Sequence, residues 1–267
     1  LIGLEDTDGI PLKFGNGDAL LAMVEKIARR EGFGDLLAEG SKRAAEKIGQ
    51  GALAYAMQVK GQEIAMHEPR GKYNVGMGYA LSEIGADHLV VAHDTMLTNP
   101  DSLPSKNAQA LGIMNALPAR AFSEEKMRQY FILENWNSFE NVVGYCFFGP
   151  APRGFIHPDD VLASINLTTG WDLTIDDLIE IGDRAVNLYR LFNLREGFDS
   201  KDDRLPDRMH EPLENGALEG ESIDREAFLE ARSQLYNIKG WDPDTGLPTR
   251  ERLESLSLGW AADLVEL

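Results

Sequence analysis

The residues best suited to chemistry gather in a few short stretches. His88 and His93 stand five residues apart after Gly85-Ala86-Asp87, on either side of the apolar residues 89–92. An imidazole beside a carboxylate in a Gly-rich loop can accept or release a proton near neutral pH. The spacing does not put both rings on one helix face, so they are not a pre-formed metal pair of the His-Glu-x-x-His type. On spacing alone, a hydrogen-bonded loop histidine is the plainer reading. Upstream, His67-Glu68-Pro69-Arg70 can form a charge-assisted pair or a fork for an anion, and a salt-bridged turn is again the plainer reading. The single cysteine, Cys146, follows Asn141, Gly144 and Tyr145 among apolar neighbours, where a lone thiol reads as a small buried hydrophobe. Gly71, Gly76 and Gly78 lack both a preceding strand and a third properly spaced glycine, so they make no dinucleotide-binding fingerprint. The carboxylates of residues 198–221 read as a solvated loop and give little support to paired-carboxylate hydrolysis.

The elements that must carry these residues are helical. Asn16 opens a helix with Leu20, Leu21, Val24, Ile27 and Ala28 on one inward face, closed by Gly32. A second is expected over residues 35–48, ending at Gly49, and a short extended segment over 55–59. Residues 60–88 read as glycine-rich loops around a short helix at 78–84. Ser123 caps a helix holding Met127, Tyr130, Phe131 and Leu133, and another begins near Val142 and breaks at Gly149-Pro150. Pro158 opens one that ends at Gly170. Thr174 with Asp177 forms a near capping box before a stripe of Leu178, Ile181, Ala185, Leu188 and Phe192. Residues 198–221 read as an acidic surface excursion, 224–239 as a helix stopped by Gly240, and a last helix starts near Thr249. There is no regular strand–helix alternation, so the expected fold is all-α and multihelical.

Composition removes several classes of function. Lys and Arg total 26 against 44 Asp and Glu, a net charge of −18, which argues against nucleic acid and against an anionic membrane surface. One cysteine excludes an internal disulfide framework and any self-contained Cys-rich zinc or iron–sulfur site. No apolar run approaches the roughly 20 residues of a membrane span. The chain starts Leu1-Ile2-Gly3 with no Met and no secretory signal, which reads as the interior of a longer polypeptide.

Several ordered stretches carry a family resemblance: LKFG at 12–15, REGFGDLLAEG at 30–40, KGQEIAMHEPRGK at 60–72, GADH at 85–88, LFNLREG at 191–197, and GWD at 240–242 with GLPT at 246–249. Together they resemble the carboxyl-terminal part of tungsten-dependent aldehyde ferredoxin oxidoreductases. The resemblance implies the end of that family's second helical domain over 1–59 and its third over 60–267. It implies a cytoplasmic enzyme that oxidises aldehydes to carboxylates, with a tungsten bis-pterin, one [4Fe–4S] cluster and ferredoxin as electron acceptor. Three cluster cysteines and one pterin motif would lie upstream of residue 1, so this stretch alone is expected to hold no cofactor and to be inactive.

The family's Asp-x-x-Gly-Leu-Cys motif falls on residues 141–146. Cys146 thereby becomes the fourth cluster ligand, and Asn141, Gly144 and Tyr145 the pterin-contacting positions; Asn replaces Asp and Tyr replaces Leu. His88 matches the active-site histidine that handles the substrate's proton, and His67 stands where some members carry a pocket tyrosine. Expected partners are ferredoxin, a small aldehyde and upstream domains, with assembly into homo-oligomers left open. Two other readings stay open: a related tungsten enzyme reducing an acid or aromatic thioester, and a non-catalytic helical interaction module of the same fold.

Overall fold

The computed structural model describes residues 2–263 and is all-α. Its helices are α1 (Gly17–Arg29), α2 (Phe33–Leu37), α3 (Ser41–Ile48), α4 (Tyr73–Leu81), α5 (Leu103–Ala108), α6 (Glu124–Val143), α7 (Pro158–Thr169), α8 (Ile175–Arg195), α9 (Arg225–Lys239), α10 (Arg250–Ser255) and α11 (Gly259–Ala262). The strands are β1 (Gln58–Val59) and β2 (Gln62–Glu63), an antiparallel pair with Val59 opposite Gln62.

The helix ends follow capping chemistry. Ser123, Asp224 and Thr249 each accept a hydrogen bond from the third backbone N–H of the helix they open, and Thr174 with Asp177 completes a capping box on α8. Gly144, Gly170 and Gly240 end α6, α7 and α9 in the left-handed conformation.

α8 and α9 both pack along α6, and α4 lies in the main core together with residues of α6 and α9. Every residue of α4 from Asn74 to Ala80 is buried. Its small residues are there for close packing: a Cβ on Gly78 would stand 2.8 Å from Val90 Cγ1. The glycines that read as loop therefore lie in a central helix, shifted upstream of the expected 78–84. At the α6–α8 crossing, a Cβ on Gly182 would overlap the Asn135 carbonyl, so only glycine lets the two backbones approach this closely.

Several further expectations are corrected. The expected 35–48 helix is two, α2 and α3, broken at Gly40 (φ 88°). The stripe expected to face inward on α1 is turned out: Leu20, Leu21 and Val24 are exposed, and Ala19 and Met23 are buried in their place. No helix begins at Val142; α6 runs through it to Val143. On α8 the buried face is offset and mixed: Leu178 is inside as expected, joined by Val186 and Leu191 and by the polar Asp183, Asn187 and Arg190, while Leu188 and Phe192 are outside.

The largest correction concerns residues 198–221. This is no surface excursion: Leu205 and Met209 enter the core, and Asp203 is fully buried. Asp203 pairs with Lys60 at 2.8 Å and Arg190 at 2.7 Å, and it accepts the Tyr236 hydroxyl at 2.5 Å. Burial beside this carboxylate pushes the Tyr236 phenol far above its ordinary range. Arg190 Nε also donates to the Gly246 carbonyl, and Lys60 Nζ to those of Ala80 and Ser82.

Asp203→Ala leaves two cations buried without their counter-ion and is expected to cost about 3–5 kcal/mol in urea unfolding. Gly182→Ala is expected to destabilise by about 2–3 kcal/mol through overpacking at the α6–α8 crossing, read by the same measurement.

Candidate functional site

Three histidines from two loops meet. His67 follows β2, and His88 and His93 belong to the loop after α4. The His67 ring centroid lies 4.7 Å from that of His88 and 4.5 Å from that of His93. Residues distant in the chain thus share one wall, and the two candidate histidines are brought together.

Hydrogen bonding separates their roles. His93 Nε2 lies 3.2 Å from the His88 carbonyl, which can only accept, so this nitrogen carries the proton. Nδ1 then offers its lone pair to the Lys72 ammonium at 3.3 Å. A second proton on Nδ1 would face that cation. Burial, the Arg153 and Lys72 charges, and His67 hold the His93 imidazole down to about 4. Burial and the same cations, with His88, also lower His67. Among the described residues, the ring nitrogens of His67 and His88 make no hydrogen bond to protein, which leaves them free for a ligand.

The other half of the site is the loop after α6. Gly149 N–H bonds the Cys146 carbonyl at 2.7 Å, and Gly154 N–H bonds the Pro150 carbonyl at 2.7 Å. Gly154 is required: a Cβ there would collide with the Gly149 carbonyl. The loop is anchored to α6 by Trp136 Nε1, which donates to Ala151 O at 2.9 Å. Its Arg153 stacks over Phe147 at 4.4 Å and reaches Phe148 at 5.3 Å. From there its charge acts on His67 and His93. α6 also touches the histidine loop directly, with Asn137 Nδ2 bonding Leu89 O at 3.1 Å.

Cys146 is exposed, which corrects its plain reading as a buried hydrophobe. Asn141 and Gly144 are exposed with it at the end of α6, and a Cβ on Gly144 would meet nothing within 4 Å. Tyr145 turns the other way, its hydroxyl 2.6 Å from Ser164 Oγ on α7 and its ring against the α6–α7–α8 core. Only its backbone stays with the other three. Beneath this loop lies Glu140, buried with one carboxylate oxygen unpartnered; burial pushes its carboxyl up to about 9, so it holds its proton at neutral pH.

Among the described residues, no group of three or more His, Cys, Asp or Glu side chains is placed to hold a metal ion. His67-Glu68-Pro69-Arg70 does form the salt-bridged turn, with Arg70 Nη1 3.0 Å from Glu68 Oε1. Sequence reasoning singled out His93 only alongside His88 and missed Lys72 and Arg153 as members of the site. The legible signal was slight: basic residues in Gly-rich stretches, with Glu68 four residues before Lys72 as an apparent partner that pairs with Arg70 instead.

A family model described as aldehyde ferredoxin oxidoreductase, domains 2 and 3, matches residues 1–258. The tungsten-containing aldehyde ferredoxin oxidoreductase of Pyrococcus horikoshii is 35% identical over 97% of this chain and 40% of its own length. An aliphatic sulfonate oxidoreductase, WOR-like subunit, of Pyrococcus furiosus is 31% identical over 95% of this chain and 36% of its own. The chain thus spans about two-fifths of the length of the curated relatives it matches. The active-site complex BamBC of benzoyl coenzyme A reductase shares the fold, with a TM-score of 0.67 at 22% identity over 98% of this chain and 42% of that one. Across nearly its whole length, this chain belongs to the aldehyde ferredoxin oxidoreductase family, as its domains 2 and 3.

Proposed function

We propose that the chain is the carboxyl-terminal portion of a cytoplasmic tungstopterin, iron–sulfur oxidoreductase that oxidises aldehydes to carboxylic acids and passes electrons to ferredoxin. Residues 1–59 are the end of the second domain and 60–267 the third; the separate apolar cluster of Ala45, Ala52 and Ala56 fits that boundary. The observation that carries the reading is the meeting of His67 and His88, both with unengaged ring nitrogens, beside the loop that exposes Cys146.

The chain's residues fit the cofactors as a partial shell. Cys146 offers one exposed thiol, and a [4Fe–4S] cluster needs three more ligands from the rest of the protein. Gly144 leaves open space above the end of α6, and the exposed Asn141 amide offers a donor and an acceptor to a pterin edge. When bound, the tungsten–pterin centre supplies oxygen transfer and the cluster an outlet for electrons.

The protein's own task is the proton balance. Converting an aldehyde and water to a carboxylate releases two electrons and three protons. His88, with its ring unengaged, takes a proton at the reacting carbon's side of the pocket, and His67 across from it orients the oxygen. His93 is a positioning residue: fixed between Lys72 and the His88 carbonyl, it sets the path of the loop that carries His88. Phe147, Phe148 and Arg153 wall the side toward Cys146.

The test uses the full-length protein, with its upstream region, assayed for tungsten, iron and aldehyde-dependent viologen reduction. Absence of tungsten and iron from active preparations, or turnover without them, overturns the proposal. Cys146→Ala in that protein is expected to lose most cluster iron and sulfide, seen as a fall in visible absorbance with near-UV dichroism retained. A second expectation concerns pH. Because His93 is held below its ordinary 6.5, the unfolded chain binds more protons between 6.5 and about 4. Its contribution to stability is therefore complete above 6.5 and lost as the pH falls toward 4. An imidazole NMR titration should place the His93 midpoint near 4, and one near 6.5 would refute the assignment.

A further inference from the structure

Two cations line the site without an acid of their own. Lys72 Nζ has His93 Nδ1, a neutral acceptor, as its partner, and Arg153 lies over the faces of Phe147 and Phe148. Among the described residues neither makes a salt bridge to a carboxylate, although acids outnumber basic residues 44 to 26 in this chain. The neighbouring acids are committed elsewhere. Glu68 pairs with Arg70, Asp87 accepts from the Leu89 N–H at 2.9 Å, and Asp94 pairs with Lys126 at 2.8 Å.

Both charges act on the histidine cluster, Lys72 through its contact with His93 and Arg153 from above the Phe147 ring. His67 stands between the other two rings and feels both cations, and its own ring nitrogens are unengaged. Both Lys72 and Arg153 are partly buried, so water screens them less than surface cations, and neither is paired with a carboxylate among the described residues. Such an arrangement is stable when an anion completes it: the guanidinium and ammonium donate, and His67 adds a neutral donor. The aromatic pair Phe147–Phe148 beside Arg153, with Phe148 exposed, adds an apolar face next to the charge.

We infer that Lys72, Arg153 and His67 form an anion subsite, and that the enzyme's substrate is an oxo compound bearing a fixed anionic group, a carboxylate or sulfonate, in addition to the carbonyl that reacts. This rests on the oxidoreductase reading for the reacting carbonyl, but the anion subsite itself is read by binding alone. Anionic groups of a bound pterin share the same chemistry, and the experiment separates the two sources.

The experiment titrates the full-length holoprotein by calorimetry with succinamate and with butyramide, which differ only in a carboxylate against a methyl group. The expected result is at least about 10-fold tighter binding of succinamate, with that ratio falling about 10-fold in Lys72→Met and in Arg153→Gln and restored in Lys72→Arg. Matching selectivity is expected in KM for 4-oxobutanoate against butanal. Equal affinity for the two probes overturns the inference, as does a ratio that both substitutions leave unmoved. A fall in tungsten and pterin content with the ratio intact assigns the cations to the cofactor and also overturns it. Anion selectivity in a protein that lacks tungsten and aldehyde turnover would sink the oxidoreductase reading while leaving the subsite standing.

Discussion

The Asp203 carboxylate is the constraint on which the rest of the fold hangs. A fully buried carboxylate is costly unless charges and donors surround it, and here they come from three otherwise separate elements. Lys60 arrives from the β1–β2 turn, Arg190 from α8 and Tyr236 from α9. Lys60 then reaches the carbonyls of Ala80 and Ser82, which end α4. The same turn seats the backbone of Gly85, where a Cβ would collide with the Val59 carbonyl. The histidine loop thus leaves α4 in a direction set by Asp203.

A second buried pair fixes the other end of that loop. Asp94, immediately after His93, accepts from the backbone N–H groups of Asn74 and Val75 at the start of α4, where the helix dipole favours an anion. It also pairs with Lys126 on α6 at 2.8 Å. Both ends of the loop carrying His88 and His93 are therefore tied to α4 by buried charges. A loop held this way gives its histidines a defined separation without a metal ion. This is pre-organisation of the kind a proton-transferring site needs.

What was legible in the sequence is what local chemistry decides. Ser123, Thr174, Asp224 and Thr249 open their helices because each side chain can satisfy orphan N–H groups next to it. What was not legible depends on partners far away in the chain. Residues 198–221 look solvated by composition, yet Asp203 is buried because Lys60 and Arg190, distant in sequence, come to meet it. The inner face of α8 takes in polar side chains for the same reason: Asn187 accepts from Trp241 Nε1, and Asp183 pairs with Arg252, so a purely hydrophobic stripe misjudges the orientation. The pairing of His67 with His88 was visible only through family resemblance, since no local rule joins two loops.

The contrast between His93 and its two neighbours follows from who holds the ring nitrogens. His93 spends both on protein groups and is kept neutral by the cations around it, so it cannot exchange protons with a ligand without breaking the Lys72 contact or the bond to the His88 carbonyl. His67 and His88 spend neither, and the same cations that keep His93 neutral act on His67 as well. The Lys72 ammonium thus performs two tasks through one geometry: its N–H holds the His93 tautomer and its charge lowers His67. Glu140, holding its proton beneath the Cys146 loop, adds no negative charge that would cancel this field. In a chain of net charge −18, two partly buried cations beside the histidines with no carboxylate paired to either are a local exception, because the acids next to them in sequence are bound to Arg70, Lys126 and the Leu89 N–H.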